Sequence, residues 1–409
     1  MKRNGYFLVI FFCFFINSFL TPICLFAKDD DAPEGKRIKN RKFEIGLINV
    51  KVGFANDFMS AKDILQEKMI VDIDGLKDGL GINFDVNAYP IFFNYNKNDI
   101  WGFGLSLGVQ AFGNINLSGK MLSFSEAIDE KSDVKAAVSA EARYNRFFHA
   151  GKIKIKVRPA LYFPLAYANP DISYTFNNTT DGTILNLGYK LRLFTAFPLE
   201  GGFSKENFKL TTYPGIDFIL GAEYPLSEIL GLKRKHSSMD FKLGLDLINL
   251  PAVPAFMNDY MEISGRMGNS DPINLFEGGL DGFSFKNEDT VYGRQRISVL
   301  RPFKMITWAD WRPFKPINII SSFGFVLDPF YSRLFSPEGG VKMRLDLLNL
   351  FILSFGVGYY DHLWKNSLDL ALNFRAFELD IGVELRSQSF AKSWTGAGFA
   401  VEFGIKFGW

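Results

Sequence analysis

Apolar and polar residues alternate most regularly at the end of the chain, over residues 399–409. One face of this segment holds Phe399, Val401, Phe403, Ile405, Phe407 and Trp409. The other face holds Ala400, Glu402, Gly404, Lys406 and Gly408. Because neighbouring side chains of an extended strand point to opposite faces, the first face is wholly apolar and the second is charged or small. A strand between lipid and an aqueous lumen needs this pattern, and a soluble strand that lines a core also has it.

The same alternation recurs from about residue 43 onward. Clear examples are residues 152–158, 185–193, 341–347, 351–360, 368–375 and 377–386. Charged residues at every second position indicate an aqueous inner face. A soluble β-sandwich also has period two, but its apolar faces rarely carry so many Phe residues over so many strands. The pattern predicts an all-β fold, a transmembrane antiparallel β-barrel of about 14 strands within a range of 12–16.

The start of the chain has the layout of a secretory signal. Its parts are Lys2 and Arg3, an apolar run from Tyr6 to Phe15, and Ala27 before the expected cut. This layout predicts a cleaved signal peptide over residues 1–27, followed by a barrel domain over residues 28–409. Two rival interpretations are a lipoprotein cut before Cys24 and a retained anchor helix, and Pro22 disfavours both.

Composition agrees with an exported membrane barrel. Both cysteines, Cys13 and Cys24, lie in the predicted signal, so no disulfide holds the mature chain together. Aromatic residues make up 16% of the chain, with 44 Phe, yet mean hydropathy is only +0.03. After the signal no apolar run reaches the length of a membrane helix. Without Lys2 and Arg3 the basic and acidic residues are equal in number, so no net charge favours nucleic acid as a partner.

The predicted strands are separated by four long connections and contain one near-repeat. The connections are residues 56–79, 118–132, 169–181 and 266–289. Helical spacing over 57–69 predicts a short helix within 57–79, either a plug that enters the lumen or an ordinary loop helix. A second short helix is predicted over 225–232. The hexapeptide at 245–250 recurs with one change at 345–350, and we expect both copies at periplasmic ends of strands.

The chain has no convincing catalytic constellation. Its three histidines, His149, His236 and His362, stand alone, without a second histidine or cysteine at metal-ligand spacing. A phosphate loop and a dinucleotide fingerprint are also missing. These observations predict a protein that is not an enzyme and needs no metal or cofactor. The enzymatic alternative is an outer-membrane phospholipase, which uses a Ser-His pair within a barrel.

Basic residues on two predicted strands are the best candidate for a ligand site. This basic strip consists of Lys152, Lys154, Lys156, Arg158, Lys190 and Arg192. If the two strands are antiparallel neighbours, these cations crowd one wall of the lumen and attract a carboxylate or phosphate. The alternative is a solvated wall balanced by acidic residues such as Glu378, Asp380 and Glu384. A second basic group, over residues 294–315 and including Arg301, is interleaved with Trp308 and Trp311 and is interpreted as interface girdle and turn rather than as a ligand site.

Two stretches carry a resemblance to a known family. They are residues 243–255 (Leu-Gly-Leu-Asp-Leu-Ile-Asn-Leu-Pro-Ala-Val-Pro-Ala) and residues 377–409, with Lys-Ser-Trp-Thr-Gly at 392–396. The chain resembles spirochaetal outer-membrane β-barrels, and among them the group similar to FadL-type long-chain fatty-acid transporters. The resemblance implies about fourteen strands and an N-terminal hatch in the lumen. The Asn-Pro-Ala motif of that hatch is missing from the N-terminal region, so no ligand residue of the family is carried over.

These observations together predict a function in the bacterial outer membrane. The leading hypothesis is passive uptake of hydrophobic or amphipathic small molecules, such as long-chain fatty acids. The alternatives are a general diffusion porin and a surface-exposed binding or adhesion protein anchored by a barrel. The expected partners are outer-membrane lipid, a hydrophobic small-molecule ligand, and the barrel-assembly machinery, which would engage the C-terminal strand from Phe399 to Trp409. No nucleic-acid partner is expected.

Overall fold

The structure is a computed structural model. It describes residues 41–56, 80–97, 100–117, 128–131, 133–169, 171–179, 182–197, 211–229, 240–268, 284–314, 316–330, 334–348, 350–374 and 376–409. The predicted signal peptide and the predicted plug or loop helix over 57–79 lie outside these residues. Within the described part of the chain, no helix combines the length and the apolar composition that a membrane crossing requires.

Nineteen strands and two short helices are described. The strands of the first half are β1 Phe43–Asn56, β2 Leu80–Lys97, β3 Trp101–Leu117, β4 Ile128–Lys131, β5 Asp133–Ala150, β6 Ile153–Ala168, β7 Asp171–Thr179, β8 Gly182–Thr195 and β9 Gly215–Tyr224. Those of the second half are β10 Asp240–Val253, β11 Ala255–Gly268, β12 Ser284–Val299, β13 Phe303–Phe314, β14 Ile317–Leu327, β15 Phe335–Leu347, β16 Phe351–Tyr360, β17 Leu363–Phe374, β18 Phe377–Ser387 and β19 Gly398–Gly408. The helices are α1 Leu226–Ile229 and α2 Phe390–Ser393.

Fourteen of these strands form a closed antiparallel barrel. Their order around the ring is β1, β2, β3, β5, β6, β9, β10, β13, β14, β15, β16, β17, β18 and β19. β19 pairs with β1 and closes the ring. The predicted all-β barrel of about 14 strands is therefore confirmed. We call the end where β1 begins and β19 ends the proximal end, and the opposite end the distal end.

The two faces of the barrel wall differ as the alternation predicts. Large apolar side chains are exposed on the outer face, for example Leu105, Phe323, Val341, Phe355 and Val401. Buried charged side chains lie on the inner face, for example Lys51, Glu141, Arg386 and Lys406. At the proximal end the rings of Phe43, Tyr95, Trp101, Phe103 and Trp409 contact one another in series. An apolar exterior with an aromatic girdle is typical of a barrel that crosses a bilayer.

The other five strands form a second sheet at the distal end, which we call the distal sheet. Their order is β4, β7, β8, β11 and β12. β8 joins the barrel by pairing its residues Leu193 to Thr195 with the last three residues of β6. The sequence did not predict this sheet. Three of the predicted long connections in fact contain strand, because β4, β7 and the start of β12 lie within them.

The barrel wall is not equally high all round. The tall wall consists of β2, β3, β5 and β6, which are 16 to 18 residues long. The short wall consists of β14, β16, β17, β18 and β19, which are 10 to 12 residues long. A tilted strand needs only about 9–11 residues to cross a membrane. The tall wall therefore has length to spare.

The near-repeat and the second predicted helix have different outcomes. Residues 345–350 reach the proximal turn after β15, where Leu348 has a φ of 58°. Residues 245–250 lie inside β10, which begins at the proximal end, and they include a bulge at Asn249 with a φ of 52°. The expectation that both copies lie at periplasmic ends is therefore wrong. The helix predicted over 225–232 is present in part, as α1.

Candidate functional site

A cluster of apolar side chains fills the distal mouth of the barrel. At its centre is Phe330, from the turn between β14 and β15, and its side chain is buried. Around it lie Phe112, Ala137, Tyr167, Phe194, Met257, Tyr260, Ile297 and Val299. The ring of Phe330 meets that of Phe112 edge-on, with 4.1 Å between centroids, and lies 6.0 Å from that of Tyr167. We call these nine residues the mouth cluster.

The turn that carries Phe330 crosses the lumen to reach this position. β14 lies almost diametrically opposite β3 in the ring, and β3 supplies Phe112. Asp328 shapes the turn, because its carboxylate accepts the backbone N–H of Phe330 at 2.9 Å. The Asp328 N–H donates to the carbonyl of Leu334 at 2.8 Å. On the far side Lys135 donates to the carbonyl of Pro329 at 3.5 Å. The turn therefore spans the mouth.

Asp328 lies outside the membrane-spanning strands, and its pKa is raised to about 6. The largest cause is burial, which disfavours the charged form, and the nearby Asp361 acts in the same direction. The Phe330 N–H, Lys304 and Lys135 oppose this rise. Asp328 therefore changes charge in a mildly acidic range that most carboxylates do not reach.

A buried group of charges lies deeper in the lumen, and Arg301 is at its centre. Arg301 comes from the connection between β12 and β13 and holds Asp217 with two hydrogen bonds of 2.6 Å. Arg301 also donates to Glu141. Glu141 further accepts hydrogen bonds from Arg143 at 3.0 Å and from Tyr89 at 2.7 Å. We call these five residues the arginine centre. The interpretation of Arg301 as part of an interface girdle is wrong, because its side chain is buried in the lumen.

Tyr162 links the ends of two distal-sheet strands, β11 and β12, above the arginine centre. Its hydroxyl donates to the carbonyl of Val299 at 3.0 Å and accepts the N–H of Ala255 at 3.2 Å. The guanidinium of Arg301 lies 4.7 Å from its ring centroid, within the range of a cation–π contact. Gly215 makes room for this ring, since a β-carbon there would lie 2.3 Å from it. Tyr162 thus anchors the base of the distal sheet to β6.

An apolar patch follows toward the proximal end. It consists of the buried side chains Ile219, Ile248 and Ile306, which we call the isoleucine trio. Next to it Trp308 donates from its indole to Asp246 at 2.6 Å. Beyond the patch, Lys242 pairs with Glu223. A polar cavity of about 20 Å³, room for about one water molecule, is lined by Asp240, Lys242, Asp310, Arg312, Asn318, Arg344 and Asp346.

The structure separates the predicted basic strip into two groups. Lys152 lies in the exposed turn before β6 at the proximal end. Lys154, Lys156 and Arg158 follow on β6. On the side away from β5, the neighbour of β6 along most of its length is β9 and not β8. In this pairing Lys154 is opposite Glu223, and the ammonium of Lys156 lies 5.9 Å from the ring centroid of Trp308.

The other two residues of the strip belong to the distal sheet. Glu262 on β11 binds both of them, Lys190 at 2.9 Å and Arg192 at 2.7 and 2.9 Å. Arg192 also lies 5.4 Å from the ring centroid of Tyr260, a member of the mouth cluster. The expectation of one continuous basic wall is wrong, because β6 and β8 pair over only three residues. A ligand-binding role for these six residues stays a prediction.

The acidic residues that were expected to balance this strip pair elsewhere. Glu378 and Asp380 bind Lys406 within the short wall and its seam with β1. Glu384 binds Lys51 at 3.1 Å and Arg386 at 2.7 Å. Lys51 lies on β1, so its contact with Glu384 on β18 crosses the seam between the last and first strands.

The histidines form no shared site within the described residues. His149 contacts the carbonyl of Ile100 at 3.0 Å in a proximal turn. His362 lies in the distal turn between β16 and β17, and His236 is outside the described residues. Among the residues that the structure describes, no group of three or more histidine, cysteine or acidic side chains is arranged to hold a metal ion.

Sequence reasoning missed Phe330, Asp217 and Asp328. Each is one residue in a turn or strand whose importance depends on what the fold brings opposite it. The one local signal is an Asp-Pro-Phe turn, in which a large apolar residue occupies a position that is usually polar. Such a residue has to be buried against something, but the sequence does not show what.

Solved structures that are similar to this chain share few of its residues. No family model and no curated protein matches the chain. The chain is similar to the toluene transporter TbuX of Ralstonia pickettii, at 8% identity over 90% of this chain and 89% of that one, with a TM-score of 0.44. It is also similar to the toluene transporter TodX of Pseudomonas putida, at 9% identity over 92% and 91%, with a TM-score of 0.44.

A third similar structure is the translocator domain of the autotransporter NalP from Neisseria meningitidis. Its identity is 6% over 90% of this chain and 89% of that one, with a TM-score of 0.35. These values are too low to support conclusions about kinship or substrate. The closed strand order and the apolar exterior of this chain are by themselves those of an outer-membrane β-barrel.

Proposed function

We propose that the protein is an outer-membrane channel for the passive uptake of hydrophobic or amphipathic small molecules, such as long-chain fatty acids. The observation that carries this proposal is the mouth cluster. Its nine side chains are apolar or aromatic and lie where a solute enters the lumen. Apolar pockets with a few polar groups at their edge are the usual form of small-molecule sites.

The order of side chains along the lumen supports a path for an amphipathic solute. Lys190 and Arg192 lie on the distal sheet, and Arg192 contacts Tyr260 of the mouth cluster. The acidic head of a solute would replace Glu262 as the partner of these two cations, while its apolar body displaces Phe330. The arginine centre and then the isoleucine trio follow below. Passage past the arginine centre requires movement of the connection that carries Arg301.

The alternatives differ in what they require of the mouth. A general diffusion porin needs an open polar lumen, and the mouth cluster argues against it. A surface-exposed binding protein is favoured by one observation, the distal sheet, which extends beyond the barrel. The spirochaetal origin, the cleaved signal peptide and the engagement of the barrel-assembly machinery stay predictions.

The proposal is tested by ligand retention. Residues 28–409 are refolded in detergent, incubated with hexadecanoic acid and weighed by native mass spectrometry. We expect retention of one acyl chain. Phe330→Ala should raise retention several-fold because it vacates the site, whereas Phe390→Ala, on a half-exposed ring of α2, should not change it.

Charge reversal locates the head group in the same experiment. Arg192→Glu should lower retention about tenfold, as expected for a lost charged contact worth about 1.4 kcal/mol. Lys97→Glu, at an exposed position at the proximal end of β2 and outside the basic strip, is the matched control and should have little effect. Absence of retention in both the wild type and Phe330→Ala would overturn the transport proposal in favour of a surface function.

A further inference from the structure

Asn114 is a buried polar residue whose side chain is not used by the fold. It lies on the lumen face of β3 and is 1% exposed. Neither its amide nitrogen nor its amide oxygen has a hydrogen-bond partner among the residues that the structure describes. Asn373, also buried on the lumen face, provides a contrast. Its amide donates to Glu378 at 3.0 Å and accepts from Arg41 at 3.0 Å.

The position of Asn114 places it beside the mouth cluster. It follows Phe112 by two residues on β3, so the two side chains are neighbours on one face, roughly 7 Å apart. Phe112 is the residue against which the ring of Phe330 packs. In register with Asn114 are Asn83 on β2 and Lys135 on β5. The unused amide therefore borders the aromatic contact that the proposed solute would replace.

An unpaired buried amide weakens the folded state. Leaving a buried donor or acceptor unsatisfied costs about 1–3 kcal/mol, and an apolar residue of similar size would avoid this cost. Such a group calls for a partner from outside the protein chain, and in a binding region a ligand can complete its hydrogen bonds. The ligand has to offer both a donor and an acceptor, because the amide presents an N–H group and a carbonyl side by side.

We propose that Asn114 binds the hydroxyl group of a phenolic solute whose ring takes the place of Phe330 against Phe112. This proposal rests on the proposed channel function. A phenol hydroxyl donates to the amide oxygen and accepts from the amide nitrogen. A hydrocarbon ring leaves both atoms unpaired. A carboxylate satisfies the nitrogen but is repelled by the oxygen. A neutral aromatic alcohol is thus a second class of amphipathic solute for the proposed channel, beside the fatty acids.

The test compares two ligands of equal shape, p-cresol and p-xylene, which differ in a hydroxyl in place of a methyl group. Binding to the refolded wild-type barrel is measured by isothermal titration calorimetry. We expect p-cresol to bind at least tenfold more tightly, because a site built for a hydroxyl discriminates strongly against its absence. In Asn114→Leu this preference should fall to about one.

A control variant and a stability measurement complete the test. Asn49→Leu removes another buried asparagine of the lumen face, on β1, and should leave the preference unchanged. Asn114→Leu should resist urea unfolding at least as well as the wild type, which excludes misfolding as the cause. If both ligands bind equally to the wild type, or if Asn114→Leu keeps the preference, the role of Asn114 is overturned while the channel proposal stands. If neither aromatic ligand nor hexadecanoic acid binds, the channel proposal fails as well.

Discussion

The tall wall and the short wall of this barrel are built from the same alternating pattern, yet their distal connections differ. In the short wall β16 and β17 are joined by the two residues Asp361 and His362, both with positive φ, as in a tight hairpin. On the tall side the chain leaves the barrel between β3 and β5 to form β4, and again between β6 and β9 to form β7 and β8, which are three of the five strands of the distal sheet. The strands that are longer than a membrane crossing requires are thus the ones next to the distal sheet, where a solute would first meet the protein.

The buried ion pairs of the two walls also differ in what they join. Lys406 on β19 pairs with Glu378 on the neighbouring β18, and Arg386 on β18 pairs with Asp85 on β2 across the seam, so both tie strand to strand. Arg301 belongs to a connection, and its partners lie on β5 and β9. The arginine centre therefore holds a segment outside the ladder of backbone hydrogen bonds, and only side chains can hold such a segment.

The largest effect is expected from Arg301→Met. It leaves Glu141 and Asp217 as buried charges without their shared partner, which costs about 3–5 kcal/mol. Arg386→Met should be similarly costly for unfolding in urea. Only Arg301→Met should also make the connection between β12 and β13 sensitive to limited proteolysis. Equal protease resistance of that connection in the two variants would contradict the distinction between the walls.

A smaller effect, dependent on pH, is expected from Asp328→Asn. The folded-state pKa of about 6 lies above the ordinary value of 3.8, so the fold prefers the protonated acid. This contribution to stability is present below about pH 4 and is lost as the pH rises through 6, to a total of about 3 kcal/mol.

Asparagine at position 328 does not titrate, so the pH dependence should be missing from Asp328→Asn. The measurement is the free energy of unfolding in urea of the wild type and the variant at pH 4.5 and 7.5. Asp328→Asn should be close to the wild type at pH 4.5 and more stable than it at pH 7.5. A stability difference between the two proteins that does not vary with pH would count against a buried acid in this turn.

The smallest effect is expected from Tyr162→Phe. It removes the hydroxyl that contacts Val299 and Ala255 and leaves their backbone groups without this partner, at a cost of about 1–2 kcal/mol. Amide exchange at the base of the distal sheet should become faster. Tyr360→Phe in the short wall, which loses a contact with Ser322, should leave that exchange unchanged. Unaltered exchange in Tyr162→Phe would mean that the distal sheet does not depend on this anchor.

Alternation predicted the barrel well because the wall obeys a local rule. Every strand between lipid and lumen must alternate, so a segment such as 377–386 reveals its own orientation. The same rule misled at β8, which alternates like a wall strand but belongs to the distal sheet. Alternation of apolar and polar residues indicates that a strand has two unlike faces, but it does not indicate which sheet contains the strand. The basic strip was therefore assembled from strands that are not neighbours along their length.

The candidate site was beyond prediction for a related reason. Arg301 and Phe330 act across the lumen, on strands far from them in sequence. Their contacts depend on how the ring closes and on how far each turn reaches inward. The near-repeat shows the limit most clearly, because almost the same six residues form a bulge at Asn249 and a turn at Leu348. Local sequence did not decide between these outcomes; residue 245 is the sixth residue of β10, whereas residue 345 is the eleventh residue of β15 and lies near its end.

Closure of the ring by β1 and β19 also imposes an order of events. The two strands pair from Glu44 and Gly408 to Ala55 and Gly398, and the carbonyl of Trp409 accepts the N–H groups of Lys42 and Phe43. Residues at opposite ends of the sequence must therefore meet before the wall is continuous, and contacts of such long sequence separation form slowly. Until then each growing sheet has two unpaired edges, the state in which strands are most prone to pair with the wrong chain. Any cell that makes this protein has to shield those edges during the interval between export and closure.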